Sequence, residues 1–154
     1  MKMELEMVKT IAAAGGYIAV GLAAIGSTLG CGIAGAAAIG AWKKCYLQDK
    51  PAPFLLLAMA GVPLSQTIYG LLMMIFLKGN AANATPTSWP LYLAIAVFGG
   101  LALGMSALFQ GKAAAGGCSA FAETNQGFAN YLMILGVIET CAIFALVFSL
   151  LAMQ

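Results

Sequence analysis

Residues 26–40 read GSTLGCGIAGAAAIG, and a related stretch, SALFQGKAAAGGCSA, occupies residues 106–120. Placing Gly32 on Gly111 aligns the two stretches at an offset of 79 residues. Both are rich in glycine and alanine, small residues that let helix backbones approach closely in lipid. The chain is therefore predicted to be an internal duplication whose glycine-rich helices pack in a crowded layer.

The composition of the whole chain is that of a membrane protein. Of 154 residues, 62% are hydrophobic and 8% are charged, whereas a soluble domain is about half apolar and a quarter charged. Histidine and arginine are absent from the sequence, which removes a histidine acid or base and a bidentate phosphate clamp. A net charge of +2 gives no electrostatic footprint for nucleic acid. We expect no catalysis by this chain alone, no organic cofactor and no nucleic-acid partner.

Four apolar segments remain when the chain is cut at its polar and turn-forming stretches, at about residues 11–41, 53–77, 90–120 and 127–153. Each can cross a bilayer, which takes about 20 residues. The predicted fold class is an all-α membrane protein with four transmembrane helices in two tandem hairpins. The hairpins are residues 1–78 and 90–154, joined by an external loop at 79–89.

Charge and residue size predict the orientation and the layers. The two hairpin loops and the adjoining helix ends hold four of the seven lysines, which favours the loops as the cytoplasmic side. Fourteen of the nineteen glycines lie in the first and third segments, whereas five of the eight phenylalanines lie in the second and fourth. The first and third helices are thus predicted to form an inner layer, and the bulkier pair an outer, lipid-facing layer.

One carboxylate, Glu139, lies in the middle of the fourth segment, within GVIETCAIFALVF. A charge near the bilayer centre costs several kcal/mol, so such a residue predicts an ion site. Other oxygen-bearing side chains occur at plausible depths: Ser65, Gln66, Thr67, Tyr69, Gln110 and Thr140. Pro63 is expected to kink the second helix and tilt nearby carbonyls. One carboxylate with neutral oxygens makes a neutral site with Na⁺, whereas a proton needs fewer ligands.

Three segments carry a resemblance to a known family: LSQTIYG at 64–70, FQGKAAAG at 109–116 and VIETCAIF at 137–144. The duplicated chain resembles the proteolipid rotor-ring subunit, the c or K subunit, of V/A-type rotary ATPases, especially the sodium-translocating bacterial form. The resemblance implies that Na⁺ is the transported ion and that Glu139 is the carboxylate that carries it. The implied sodium ligands are the Val62 backbone carbonyl, Ser65, Gln66, Gln110 and Glu139, with Tyr69 hydrogen-bonded to Glu139. A serine stands where threonine is familiar, and a valine replaces leucine at the carbonyl position.

The resemblance also implies an assembly and a location. Identical subunits form a homo-oligomeric ring in a bacterial plasma membrane, as multi-pass proteins in contact with lipid. The ring turns against a stator subunit that supplies an arginine, and central-stalk subunits bind the cytoplasmic hairpin loops. Because Gln66 stands at the position equivalent to Glu139, four helices carry one ion, which suits a pump.

Three other interpretations stay open on the sequence. In the first, the chain is the same rotor proteolipid but the coupled ion is a proton. A small four-helix cation transporter working by alternating access is a second rival, and it predicts an inverted repeat. The third is a structural membrane proteolipid without transport, which leaves the buried polar residues unexplained.

Overall fold

The computed structural model of the chain describes residues 2–153, and within that range it contains helices and turns but no strand. The α-helices are α1 (Lys2–Leu47), α2 (Leu56–Gly61), α3 (Ser65–Asn80), α4 (Trp89–Ala94), α5 (Gly100–Thr124) and α6 (Phe128–Ala152). A 3-10 turn, Val62–Leu64, joins α2 to α3, and a π-helical turn, Ile95–Gly99, joins α4 to α5. A further 3-10 turn, Ala81–Asn83, follows α3.

These elements make four long helices. We call α1 the first helix, α2 and α3 with their 3-10 turn the second, α4 and α5 with their π turn the third, and α6 the fourth. Over residues 2–153, four helices are long and apolar enough to cross a membrane by length and composition. The predicted all-α fold class with four membrane helices is confirmed. Residues 1 and 154, the outer ends of the predicted hairpins, lie outside the described residues.

The first helix extends beyond the apolar segment 11–41 at both ends. Its polar ends are good helix formers, and their charges suit the helix dipole, with Glu4 in the first turn and Lys44 in the last. An ion pair of 3.1 Å between Lys9 and Glu6 adds support one turn apart. The apolar pattern covers about residues 11–41, and the helix continues past both ends of it.

Pro63 interrupts the second helix as the sequence predicts. The proline has no N–H to donate, and the backbone around it tightens into the 3-10 turn Val62–Leu64. The fourth helix, which is related to the second by the repeat, contains no proline and runs unbroken over Phe128–Ala152. The kink therefore distinguishes the two halves at the depth where the polar residues lie.

The first and third helices pack against each other through glycine. A Cβ added to Gly26 or Gly30 would collide with the backbone of the third helix. The contacting pairs follow the same order along both helices: Ala19 with Gly100, Gly26 with Gly104, and Gly30 with Gly111. The two helices therefore run parallel, as a tandem repeat requires. The third helix is the most buried of the four and the fourth helix the least, which agrees with a crowded layer and a more exposed one.

Side chains fasten the hairpin-loop end of the molecule. The indole Nε1 of Trp42 donates to the Pro53 carbonyl at 2.7 Å, holding the first loop against α1. Lys44 Nζ and Glu123 Oε1 form an exposed ion pair at 2.6 Å between the first and third helices. Lys44 and Glu123 are separated by 79 residues, so they occupy equivalent positions of the repeat.

Candidate functional site

Glu139 lies halfway along the fourth helix and is half-buried there. Tyr69, on the second helix, donates its hydroxyl proton to Glu139 Oε1 at 2.7 Å. A phenol hydroxyl is a donor and a carboxyl oxygen is an acceptor, so the bond links the two helices directly. The carboxylate is thus held between the second and fourth helices, at the middle of the fourth.

Two fully buried glutamines connect the second, third and fourth helices. Gln66 Nε2 donates to Gln110 Oε1 at 2.9 Å, and Gln110 Nε2 donates to the Leu135 carbonyl at 2.9 Å. Both side chains have no exposed surface. Buried amides are costly unless they are hydrogen-bonded, and here each finds partners on another helix. Leu135 lies one helical turn before Glu139, so the hydrogen bonds of the two glutamines reach the fourth helix one turn from the carboxylate.

Oxygens gather in the turn that Pro63 creates. Ser65 Oγ lies 3.1 Å from the Val62 carbonyl oxygen and 3.2 Å from Gln66 Oε1, within hydrogen-bond distance of both. Tyr69 follows Ser65 by one helical turn, so the oxygens and the bond to Glu139 lie along the same stretch of helix. The local reason is the 3-10 turn, which sets the Val62 carbonyl beside the serine hydroxyl.

Ser106 also belongs to this cluster, although the sequence marked it only as part of the repeat. Its Oγ donates to the Ile138 carbonyl at 3.0 Å and accepts from Gln66 Nε2 at 3.4 Å. The available signal was its spacing, because Ser106 precedes Gln110 by four residues and so shares its helix face.

Two of the candidate hydroxyl groups, those of Thr140 and Thr67, do not take part in the cluster. Thr140 Oγ1 donates to the Gly136 carbonyl at 2.8 Å, which satisfies it on its own helix. Within residues 2–153, Thr67 makes no hydrogen bond to the cluster. The structure therefore brings together Val62, Ser65, Gln66, Tyr69, Gln110 and Glu139, with Ser106 in addition.

This arrangement combines one carboxylate with neutral oxygens from hydroxyl, amide and carbonyl groups. Hard cations prefer such oxygen donors. A monovalent cation at the carboxylate would leave the site neutral, whereas a divalent cation would leave a positive charge in a medium that penalises it. The chemistry suits reversible binding of a monovalent cation or a proton.

Comparison with known proteins gives two matches. Residues 93–152 match the family model of the ATP synthase C subunit. Over 142 residues, or 92% of its length, the chain is 33% identical to the A-type ATP synthase subunit K of Methanocaldococcus jannaschii. The chain spans 60% of the length of that relative.

Proposed function

We propose that this chain is a rotor-ring proteolipid of an A/V-type rotary ATP synthase or ATPase, and that it carries Na⁺ on Glu139. The family match covers the hairpin that contains Gln110 and Glu139, and the similarity to a subunit K extends over nearly the whole chain. Four apolar helices, with the first and third running parallel, are consistent with packing of identical copies side by side.

The observation that carries the sodium proposal is the oxygen cluster in the Pro63 turn. A proton carrier needs a carboxylate in a site of low dielectric constant and little else. This chain instead keeps three further oxygens within one turn, on Val62, Ser65 and Gln66, with the serine hydroxyl within 3.2 Å of the other two. Gln110 ties that turn to the fourth helix. Such a set is expected where a metal cation must exchange its water shell for protein oxygens.

The mechanism follows from charge. Glu139 loaded with Na⁺ is neutral and can face lipid, whereas ionised Glu139 resists entering lipid. Rotation of the ring thereby depends on ion loading. We assign the competing positive charge to an arginine of a stator subunit, because the chain itself contains no arginine. The cytoplasmic hairpin loops are the surfaces for the central stalk.

The repeat also sets the number of ions per turn. Gln66 holds the position equivalent to Glu139, so each subunit offers one carboxylate for four helices. A ring with few carriers moves few ions per turn, which allows each ATP to drive a steeper gradient. The stoichiometry supports operation as a pump.

The direction of the repeats weighs against the transporter interpretation. Alternating access in small transporters commonly rests on inverted repeats, but the first and third helices here are parallel. The buried Gln66 and Gln110 likewise give the site a polar content that a purely structural proteolipid does not need.

Carbodiimide labelling tests the sodium proposal directly. The reagent modifies the protonated carboxyl of Glu139, and bound Na⁺ should displace that proton and slow labelling at fixed pH. Mass spectrometry of the purified ring gives the labelling rate across a range of NaCl concentrations, with KCl keeping the ionic strength constant. Glu139→Gln should abolish labelling at this position.

Gln110→Ala removes a site oxygen and should raise the NaCl concentration for half-protection by about tenfold or more, since a hydrogen-bonding partner of a charge is worth about 1.5–3 kcal/mol. Gln126→Ala, in the exposed loop before the fourth helix, is the matched control and should leave it unchanged. Labelling that follows pH and ignores NaCl would contradict sodium coupling and leave a proton-coupled rotor. A protein that native mass spectrometry finds monomeric would contradict the rotor itself.

A further inference from the structure

Four glycines of the first helix, Gly21, Gly32, Gly35 and Gly40, have open space where a Cβ would stand. A Cβ added to Gly21 or Gly32 would meet open space, whereas one added to Gly26 would strike the third helix. At about 100° per residue, Gly21 lies roughly 140° around the helix from Gly26. Gly32 lies only about 20° around the helix from Gly21, so these two glycines share a face that points away from the third helix.

The repeat predicts what would pack against that face. In a ring of equivalent helices, the third helix faces the first helix of the next copy through equivalent positions, at a wider spacing because Met105 and Phe109 stand where the first helix has Gly26 and Gly30. Each contact within the chain then predicts one between copies. Adding 79 to the first-helix residue gives a third-helix residue, and subtracting 79 from the third-helix residue gives a first-helix residue of the next copy. The contact of Gly30 with Gly111 becomes a contact of Phe109 with Gly32 of the next copy.

The same conversion applies a few turns away. The contact of Ala19 with Gly100 becomes a contact of Phe98 with Gly21 of the next copy. Both of these converted contacts set a phenylalanine against a glycine with open space around it. The third contact, Gly26 with Gly104, becomes a contact of Met105 with Ile25, two exposed side chains that pack against each other at a wider spacing of the helices. A ring side chain and an open glycine surface are complementary in shape.

Exposure within the single chain agrees with this pairing. Phe98 is 71% exposed and Phe109, with Lys112 Nζ 5.0 Å from its ring centre, is 50% exposed, on a helix that is otherwise the most buried. Other exposed residues of the two converted faces include Ala94, Leu101, Met105 and Lys112 on the third helix, and Ala13, Tyr17, Ile25 and Thr28 on the first. The faces are apolar along most of their length, and Lys112 lies at the hairpin-loop end of the third-helix face.

Charge at the hairpin-loop end points to the same partner. Lys44 and Glu123 hold equivalent positions and have opposite charges. Applying the offset to their ion pair gives a pair of the same two residue types between Glu123 and Lys44 of the next copy. A second copy of this chain is therefore complementary in charge as well as in shape.

We propose that neighbouring copies join by packing Phe98 and Phe109 of one copy against Gly21 and Gly32 of the next. The inference rests on the proposed ring and adds the contact that holds it together. Gly21 and Gly32 provide the surface on which the phenylalanine rings of the neighbouring copy pack. Gly26 and Gly30 pack against the third helix of their own chain.

Cysteine cross-linking tests the contact in the full-length protein. Cys31 and Cys141 are replaced by alanine, and the buried Cys45 and Cys118 are kept. Phe109→Cys with Gly32→Cys should then give a ladder of covalent multimers after mild oxidation, because a disulfide needs Cα atoms within about 7 Å. The control pair is Phe109→Cys with Ile33→Cys, at the same depth but about 100° around the helix.

The outcomes separate this contact from the proposed function. A ladder in the test pair that exceeds the control at least fivefold supports it. An intact high-order ring by native mass spectrometry with no ladder, or with equal ladders in both pairs, overturns the contact and leaves the rotor standing. Loss of the ring in the unmodified protein overturns both.

Filling the glycine surface gives an independent readout. Gly32→Leu should dissociate the ring, whereas Gly40→Leu, at another glycine of the same helix with open space around it, should not. Phe109→Ala combined with Gly32→Leu should restore the ring by returning the lost volume. Equal behaviour of Gly32→Leu and Gly40→Leu, or no restoration, would overturn the pairing.

Discussion

Ser27 and Ser106 hold equivalent positions of the repeat but have different surroundings. Ser106 Oγ donates to the Ile138 carbonyl at 3.0 Å and joins the polar cluster. Ser27 is 2% exposed, and its Oγ is the one fully buried side-chain polar atom without a hydrogen-bond partner over residues 2–153. A buried hydroxyl without a partner costs free energy that a methyl group does not.

Ser27→Ala should therefore leave the free energy of unfolding unchanged or raise it by about 1 kcal/mol, whereas Ser106→Ala should lower it by about 1–3 kcal/mol. Thermal unfolding of the two variants in the same detergent, followed by circular dichroism, compares them. Equal losses in both variants would show that Ser27 has a partner of comparable value.

Sequence reasoning finds site residues when their chemistry contrasts with the segment around them. Glu139, Gln66 and Gln110 stand out in apolar helices because burial makes each of them costly without a partner. The sequence indicated Thr140 and missed Ser106, because a hydroxyl can also bond its own helix backbone, as Thr140 does to Gly136. Only the fold tells which hydroxyl turns toward the cluster. Sodium as the ion stays a prediction.

At the scale of the element, the glycines of the first helix serve two different surfaces. Gly26 faces the backbone of Gly104 with no room for a Cβ, and Gly40 faces open space. Residue type alone does not distinguish them, since both lie in one apolar helix. The distinction comes from which side of the helix meets the third helix.

Gly26→Ala should force the first and third helices apart and lower the free energy of unfolding by about 1–3 kcal/mol, the usual cost of overpacking. Gly40→Ala, the matched control, should raise it by about 0.5–1 kcal/mol through helix propensity. Thermal unfolding of both variants gives the comparison. A stabilising effect of Gly26→Ala would contradict the close approach.

Hydropathy predicted the number of helices but not their interior breaks or their ends. Pro63 predicted an interruption at the 3-10 turn Val62–Leu64, because a proline has no N–H to donate within a helix. The π turn Ile95–Gly99 contains no comparable residue, so tertiary packing decides it. The polar ends of α1 were missed for a similar reason, because the apolar pattern stops before the helix does.

At the scale of the whole molecule, Lys44 and Glu123 carry the charge of the hairpin-loop end. In the proposed ring each Glu123 has a Lys44 on either side, one in its own chain and one in the next copy. Alternating charges would then run around the whole rim. Exposed pairs are screened by salt, so their effect depends on ionic strength.

Glu123→Lys should place positive charges at every position of the rim where Lys44 and Glu123 alternate. Because like charges repel, the ring should dissociate at a lower temperature, and the decrease should be larger at low salt than at high salt. Glu123→Lys combined with Lys44→Glu should recover most of that loss, because it restores the alternation with the signs exchanged. Gel electrophoresis of heated samples at two salt concentrations measures both. A double variant no better than the single one would contradict the alternation.

The position of Glu139 halfway along α6 has an electrical consequence for the proposed rotor. Moving one elementary charge across a membrane potential of 100 mV involves about 2.3 kcal/mol. An ion that reaches a carboxylate at mid-depth has crossed about half of that potential, and it crosses the other half on leaving. Entry and exit therefore share the electrical work almost equally, so a change in membrane voltage acts on loading and unloading alike.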